Sequence, residues 1–182
     1  MQAMTQHATR LISWLAFAAA LGGCTPALNW RQVNVDTTGV TVLLPCKPDH
    51  ATRTVVLRVA SQDMGTNLSL HGCEASNMQF TVGVMVVPSG LAMDEAMAAW
   101  RLASLAALDA KPNQALPVAW PLKGAKLQTL PVRAHVVTPT HQAQWAWFAD
   151  GNKIYQAAVY GKATEKNLPD AAETYFSGIK LP

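Results

Sequence analysis

The sequence predicts an α+β fold, an antiparallel sheet with helices packed on its faces. Three observations carry it. Between Trp30 and Val87 apolar and polar residues alternate with the period of strands, and after Pro88-Ser89-Gly90 the period becomes that of a helix. A late hairpin over residues 142–161 is apolar on both of its faces, so it needs a cover on each.

Taken in order, Trp30, Gln32 and Asn34 alternate with Arg31, Val33 and Val35 in a first strand. Asp36-Thr37-Thr38-Gly39 reads as a turn, and Val40, Val42 and Leu44 share one side of a second strand that Pro45 and Pro48 end. Residues 52–59 form a third strand, with Val55, Leu57 and Val59 alternating with Thr54, Val56 and Arg58, and 61–65 form the next turn. Strands over 67–73 and 78–87 follow, the latter with Met78, Phe80, Val82, Val84 and Val86 on one face. This half is a meander.

In the helix after Gly90, Met93, Met97, Trp100 and Leu108, with Ala96, Leu102, Ala103 and Leu105 beside them, make an apolar band. Asp94 and Glu95 occupy the first turn, where carboxylates suit the helix dipole, and Pro112 stops the helix. Pro117 and Pro121 around Val118 and Trp120 predict a broken edge strand or a loop, and strand character resumes over 126–138. Asp150-Gly151 between alternating runs signals a hairpin, with a type I′ turn on that pair or a turn centred one residue later. Either choice puts Trp145 and Trp147 on the face of Ile154, Gln156 and Ala158, and puts Ala146 and Phe148 with Tyr155, Ala157 and Val159 on the other. A closing helix begins near Asn167-Leu168-Pro169 and carries Ala172, Tyr175, Phe176 and Ile179.

The first 23 residues have a different character. Behind Arg10 runs a thirteen-residue apolar stretch, 11–23, ending in Leu21-Gly22-Gly23 before Cys24. A positive lead, an apolar run of roughly 7 to 15 residues and a small-residue cleavage site are the parts of a secretory signal, and thirteen residues fall short of the roughly 20 that span a bilayer. Leu21-Gly22-Gly23-Cys24 resembles the lipobox of bacterial lipoproteins. The resemblance implies cleavage between Gly23 and Cys24 and acylation of Cys24, since two or three acyl chains hold a domain at a membrane where one is marginal. It further implies, with Thr25 rather than aspartate next, the outer membrane of a Gram-negative envelope, its inner leaflet, with the domain in the periplasm. The expected organisation is a signal peptide at 1–23, an acylated tether at 24–29 and a single folded domain at 30–182 that is monomeric and folds without residues 1–29.

Loss of Arg10 with the leader lowers the formal charge from +3 to +2. The remaining Lys and Arg are scattered and form no stripe that tracks phosphates, which argues against nucleic acid as a partner. A chain of 159 residues buries a substantial core as one domain.

The Val-x-Val-x-Leu-Pro-x-x-Pro strand end (Val40 to Pro48), the meander, one long helix, a hairpin and a closing helix with Tyr175, Phe176, Ser177 and Lys180 resemble the PsbP-like α/β/α sandwich family over about residues 30–182. The resemblance implies a fold that hosts accessory and binding proteins of many kinds. It transfers no binding residue onto a position of this chain.

With Cys24 acylated, Cys46 and Cys73 remain, and an even pair in an exported chain reads as a disulfide. Closing that loop of 27 residues is worth about 3.5 kcal/mol in the chain-entropy model. The competing reading adds His50, four residues after Cys46, and His71, two before Cys73. Two thiolates and two imidazoles would suit zinc or copper, but His71-Gly72-Cys73 is tighter than the usual ligand spacing and the compartment oxidises thiols. The disulfide is therefore expected and no metal or cofactor. His135 and His141 stand alone. No Gly-x-Ser-x-Gly, His-Glu-x-x-His or glycine-rich phosphate loop occurs, and the carboxylates are dispersed, so no catalytic residue is expected. Two function classes remain: a non-enzymatic accessory or structural lipoprotein, held to the membrane by its lipid and serving an envelope protein partner, or a ligand or metal carrier using Cys46, His50, His71 and Cys73. Trp120, Trp145 and Trp147 would line a groove in either class unless sheet packing claims them.

Overall fold

The computed structural model describes residues 28–59, 62–125 and 129–182; the leader, Gly23, Cys24 and the first part of the tether lie outside the described residues. Strands β1 (Arg31–Asn34) and β2 (Thr41–Leu44) form a two-stranded sheet of their own, Val33 opposite Val42. Strands β3 (Asp49–Val59), β4 (Gln62–Ala75) and β5 (Met78–Val86) form a meander, followed by helix α1 (Met93–Ala106) and a single 3-10 turn at Pro112–Gln114. Then come β6 (Val118–Ala119), β7 (Val132–Val137), β8 (His141–Asp150), β9 (Lys153–Lys162) and helix α2 (Leu168–Ser177). The main sheet has seven strands in the order β3-β4-β5-β9-β8-β7-β6, every neighbouring pair antiparallel. The fold is α+β, as the patterning predicts.

Both sheet faces are covered. On one, Met97, Trp100 and Leu105 of α1 pack against Met85, Trp145, Trp147, Ile154 and Ala158. On the other, Tyr175 and Phe176 of α2 and Val35, Val40, Val42 and Leu44 of the β1–β2 hairpin pack against Phe80, Val82, Phe148, Tyr155 and Val159. The facing assignments drawn from Asp150-Gly151 therefore hold on both sides. Trp145 and Trp147 are buried core residues whose ring edges form part of the wall of a small recess beside Leu102 and Pro117, while Trp120 is partly buried beside Phe148 and Phe176.

The first two strands do not extend the meander. Their apolar side faces the sheet, and Thr41 exchanges backbone hydrogen bonds with Lys180 at 3.0 and 2.9 Å, so the hairpin and the C-terminus form one cover layer. The turn expected at 61–65 is strand from Gln62 onward because the β3–β4 ladder runs out to Val59 opposite Gln62, with Arg58 forking onto Asp63 at 2.8 and 3.1 Å. Cross-strand pairing overrides the turn-like composition there. β7 begins at Val132, behind Pro131, whose carbonyl accepts from the Trp120 N–H at 2.8 Å. In the β8–β9 turn, Asp150 pairs with Lys153 and only Gly151 has positive φ, +58°, which fits a type II′ turn rather than type I′. The two positive φ values of a type I′ turn occur instead at Ser76 (+51°) and Asn77 (+59°), between β4 and β5.

In α1 the apolar band is shifted from the sequence reading. Leu102 is exposed and Ser104 is buried, because the Ser104 hydroxyl accepts from Gln156 Nε2 at 2.6 Å and itself donates to the Trp100 carbonyl at 2.9 Å. Gln156 is thereby satisfied inside an otherwise apolar interface.

Candidate functional site

Cys46 and Cys73 are joined by a disulfide, Cα–Cα 6.0 Å. Cys46 lies between Pro45 and Pro48 just past β2, and Cys73 lies on β4 facing the hairpin layer. The bond therefore runs between layers and fixes the hairpin over one end of the sheet. With both sulfurs bonded to each other, the four-ligand set Cys46, His50, His71, Cys73 that the sequence offered has no thiolate to give and does not form.

The two histidines do converge, with a different partner. His50 and His71 are directly opposed in the β3–β4 ladder, with ring centroids 4.6 Å apart. Above them hangs Asp36, in the turn between β1 and β2. Asp36 sits at φ +49°, a conformation that aspartate tolerates better than most non-glycine residues, and Gly39 takes φ +80°. The turn is tightly held: Val35 N–H donates to the Val40 carbonyl at 2.9 Å, and the Thr38 hydroxyl donates to the Val35 carbonyl at 2.7 Å and accepts from the Val40 N–H at 3.1 Å. Buried Val35 and Val40 pin its base.

His71 Nε2 lies 2.8 Å from Asp36 Oδ1, and His50 Nε2 lies 3.4 Å from the same oxygen and 2.9 Å from Ser69 Oγ. The arrangement is graded in exposure: the His71 side chain is 12% exposed, Asp36 31% and His50 51%. Partial burial pushes the Asp36 carboxyl upward, but hydrogen bonds from Ser69 and His71, with the charges that His71 and His50 carry when protonated, outweigh it and hold the carboxyl below its ordinary range. An open recess of about 230 Å³ adjoins the cluster, lined in part by Asp36, Thr38, Thr52, Ser69 and Lys153. His135 is exposed on β7 and His141 opens β8 with Nδ1 2.9 Å from Thr140 Oγ1; neither reaches the cluster.

Sequence reasoning singled out His50 and His71 but read Asp36 only as a turn residue. Nothing local marks it, since its role follows from the hairpin folding over the sheet rather than joining it. Arg133 was likewise missed: its guanidinium stands 4.6 Å over the Trp120 ring and 4.8 Å over Phe176 and pairs with Glu173 at 2.7 Å, linking β7 to α2.

No protein-family model and no curated protein matches the chain. Among solved structures the chain is similar to the solution structure of cyanobacterial PsbP (CyanoP) from Synechocystis sp. PCC 6803, at 11% identity and a TM-score of 0.47, over 90% of this chain and 99% of that one.

Proposed function

We propose that this chain is a membrane-anchored bacterial lipoprotein with a non-enzymatic accessory or structural role in the cell envelope. The observation that carries the reading is Leu21-Gly22-Gly23-Cys24 behind a thirteen-residue apolar run. Two features support it. The only other cysteines are bonded to each other, which suits an exported domain. The described domain also starts close behind Cys24: the Asn29 N–H donates to the Pro45 carbonyl at 2.9 Å, and Trp30 stands edge-on to Phe80 at 5.7 Å. Five residues from Cys24 to Asn29 span at most about 18 Å, so the lipid would hold the hairpin layer near the bilayer surface.

In this reading the domain sits in the periplasm at the inner leaflet of the outer membrane and serves an envelope protein partner. Labelling cells with an alkynyl fatty acid tests the anchor. Wild type takes the label and fractionates with outer membranes, whereas Cys24→Ser takes none; equal labelling of the two removes the reading. Chemical crosslinking of the lipidated form in intact cells tests the role, and a single recurring partner is the expected product. A second reading, a ligand or metal carrier, is favoured by one observation, the convergence of Asp36, His50 and His71.

A further inference from the structure

We infer that Asp36, His50 and His71 form a binding site for a divalent transition-metal ion of the imidazole-preferring kind, zinc foremost, with at least one coordination position left open to solvent. The inference is independent of the lipid anchor. It differs from the set the sequence suggested, because the sulfurs are withdrawn and a carboxylate takes their place.

The geometry carries it. A ring nitrogen of His50, a ring nitrogen of His71 and an Asp36 carboxylate oxygen lie within 4.8 Å of one another, and His71 Nε2 and His50 Nε2 stand 2.8 and 3.4 Å from Asp36 Oδ1. An ion held tetrahedrally at 2.0 to 2.1 Å by nitrogen and oxygen requires its ligand atoms about 3.3 Å apart. The two nitrogen-to-oxygen distances are therefore close to an edge of such a tetrahedron, and drawing the two imidazoles together from within 4.8 Å completes one face. The three side chains come from three segments, the β1–β2 turn, β3 and β4. His50 and His71 are locked opposite one another by the ladder, β4 is tied by Cys73 to Cys46, and the Asp36 turn is closed by the Thr38 hydroxyl.

The chemistry is matched to the ion. Two imidazoles and one carboxylate suit zinc, copper or nickel over calcium or magnesium, which prefer all-oxygen shells. Each imidazole would offer Nε2 with its proton on Nδ1, and the Asp36 carboxylate would supply one negative charge against the ion. Ser69, now hydrogen-bonded to His50 and Asp36, is placed to keep its bond to the carboxylate and orient it. The half-exposed His50 edge gives an entry path, and the same edge leaves the open position facing solvent.

The test is calorimetric titration of the full chain in detergent, after chelator treatment, with zinc chloride alone. One ion per chain is expected. Asp36→Asn, His50→Gln and His71→Gln should each weaken binding at least about tenfold, while His135→Ala and His141→Ala leave it unchanged. Zinc should raise the melting temperature of wild type and not that of the His50→Gln, His71→Gln double variant, whose fold is checked by near-ultraviolet circular dichroism. X-ray absorption of the zinc-loaded protein should show nitrogen and oxygen neighbours only. Absence of saturable binding below about 1 mM, unchanged affinity in the three variants, or sulfur neighbours at about 2.3 Å would each overturn the site.

Discussion

Cys73 stands two residues beyond His71 on the same face of β4, so its bond to Cys46 fixes the strand segment that carries the histidine beneath the turn that carries Asp36. The staple thus ties together two layers that share no strand pairing.

The disulfide should be the largest single contribution to stability outside the core. Closing 27 residues of chain is worth about 3.5 kcal/mol in the entropy model, on the order of 10 °C in a domain of this size. The Cys46→Ala, Cys73→Ala double variant is expected to melt lower by about that amount, and His50→Ala, at a half-exposed position, within about 2 °C of wild type. Calorimetric scans of the three proteins check both, and mass spectrometry of non-reduced protein reads the bond directly.

The buried Gln156–Ser104 hydrogen bond supplies a second test. Ser104→Ala leaves the Gln156 amide unpaired under α1, at a cost of about 1 to 3 kcal/mol. Adding Gln156→Leu removes the orphaned group, so the double variant should recover part of that loss. A double-mutant cycle in urea measures the coupling, and additive losses would mean that the bond contributes nothing of its own.

All three tyrosines are held above their ordinary range, with burial the largest cause for Tyr155, Tyr160 and Tyr175, and Tyr175 is shifted most. Tyr175 also donates its hydroxyl to the Thr81 carbonyl at 2.7 Å, which suits the neutral form. Above about pH 10 the unfolded chain releases these protons while the fold retains them. Stability is therefore intact below that pH and falls as pH rises, by up to about 1.4 kcal/mol per unit for each tyrosine. Tyrosinate absorbance should appear together with loss of near-ultraviolet circular dichroism. Ordinary titration near pH 10 with the fold intact would contradict the buried placement.

Legibility in the sequence followed the range of the interactions involved. Side-chain parity is local, so Asp150-Gly151 was enough to sort Trp145 and Trp147 from Ala146 and Phe148 onto opposite faces. Cysteine count and export context likewise pointed to Cys46 with Cys73. What sequence patterning does not encode is which strands become neighbours: β5 lies beside β9 rather than beside the next strand, and the β1–β2 hairpin stacks on the sheet instead of lengthening it. Asp36 meets His71 across 35 residues for that reason. Ser104 displaced Leu102 from the α1 interface because of one partner, Gln156, 52 residues away. The helical band alone ranks leucine above serine.

The anchor itself is tested most directly by the N-terminal peptide of the protein recovered from membranes. Cleavage after Arg31 should release Cys24-Thr25-Pro26-Ala27-Leu28-Asn29-Trp30-Arg31 carrying the mass of two or three acyl chains on Cys24, with nothing from residues 1–23 attached. An unacylated peptide, or one extending upstream to Leu11, would contradict the account.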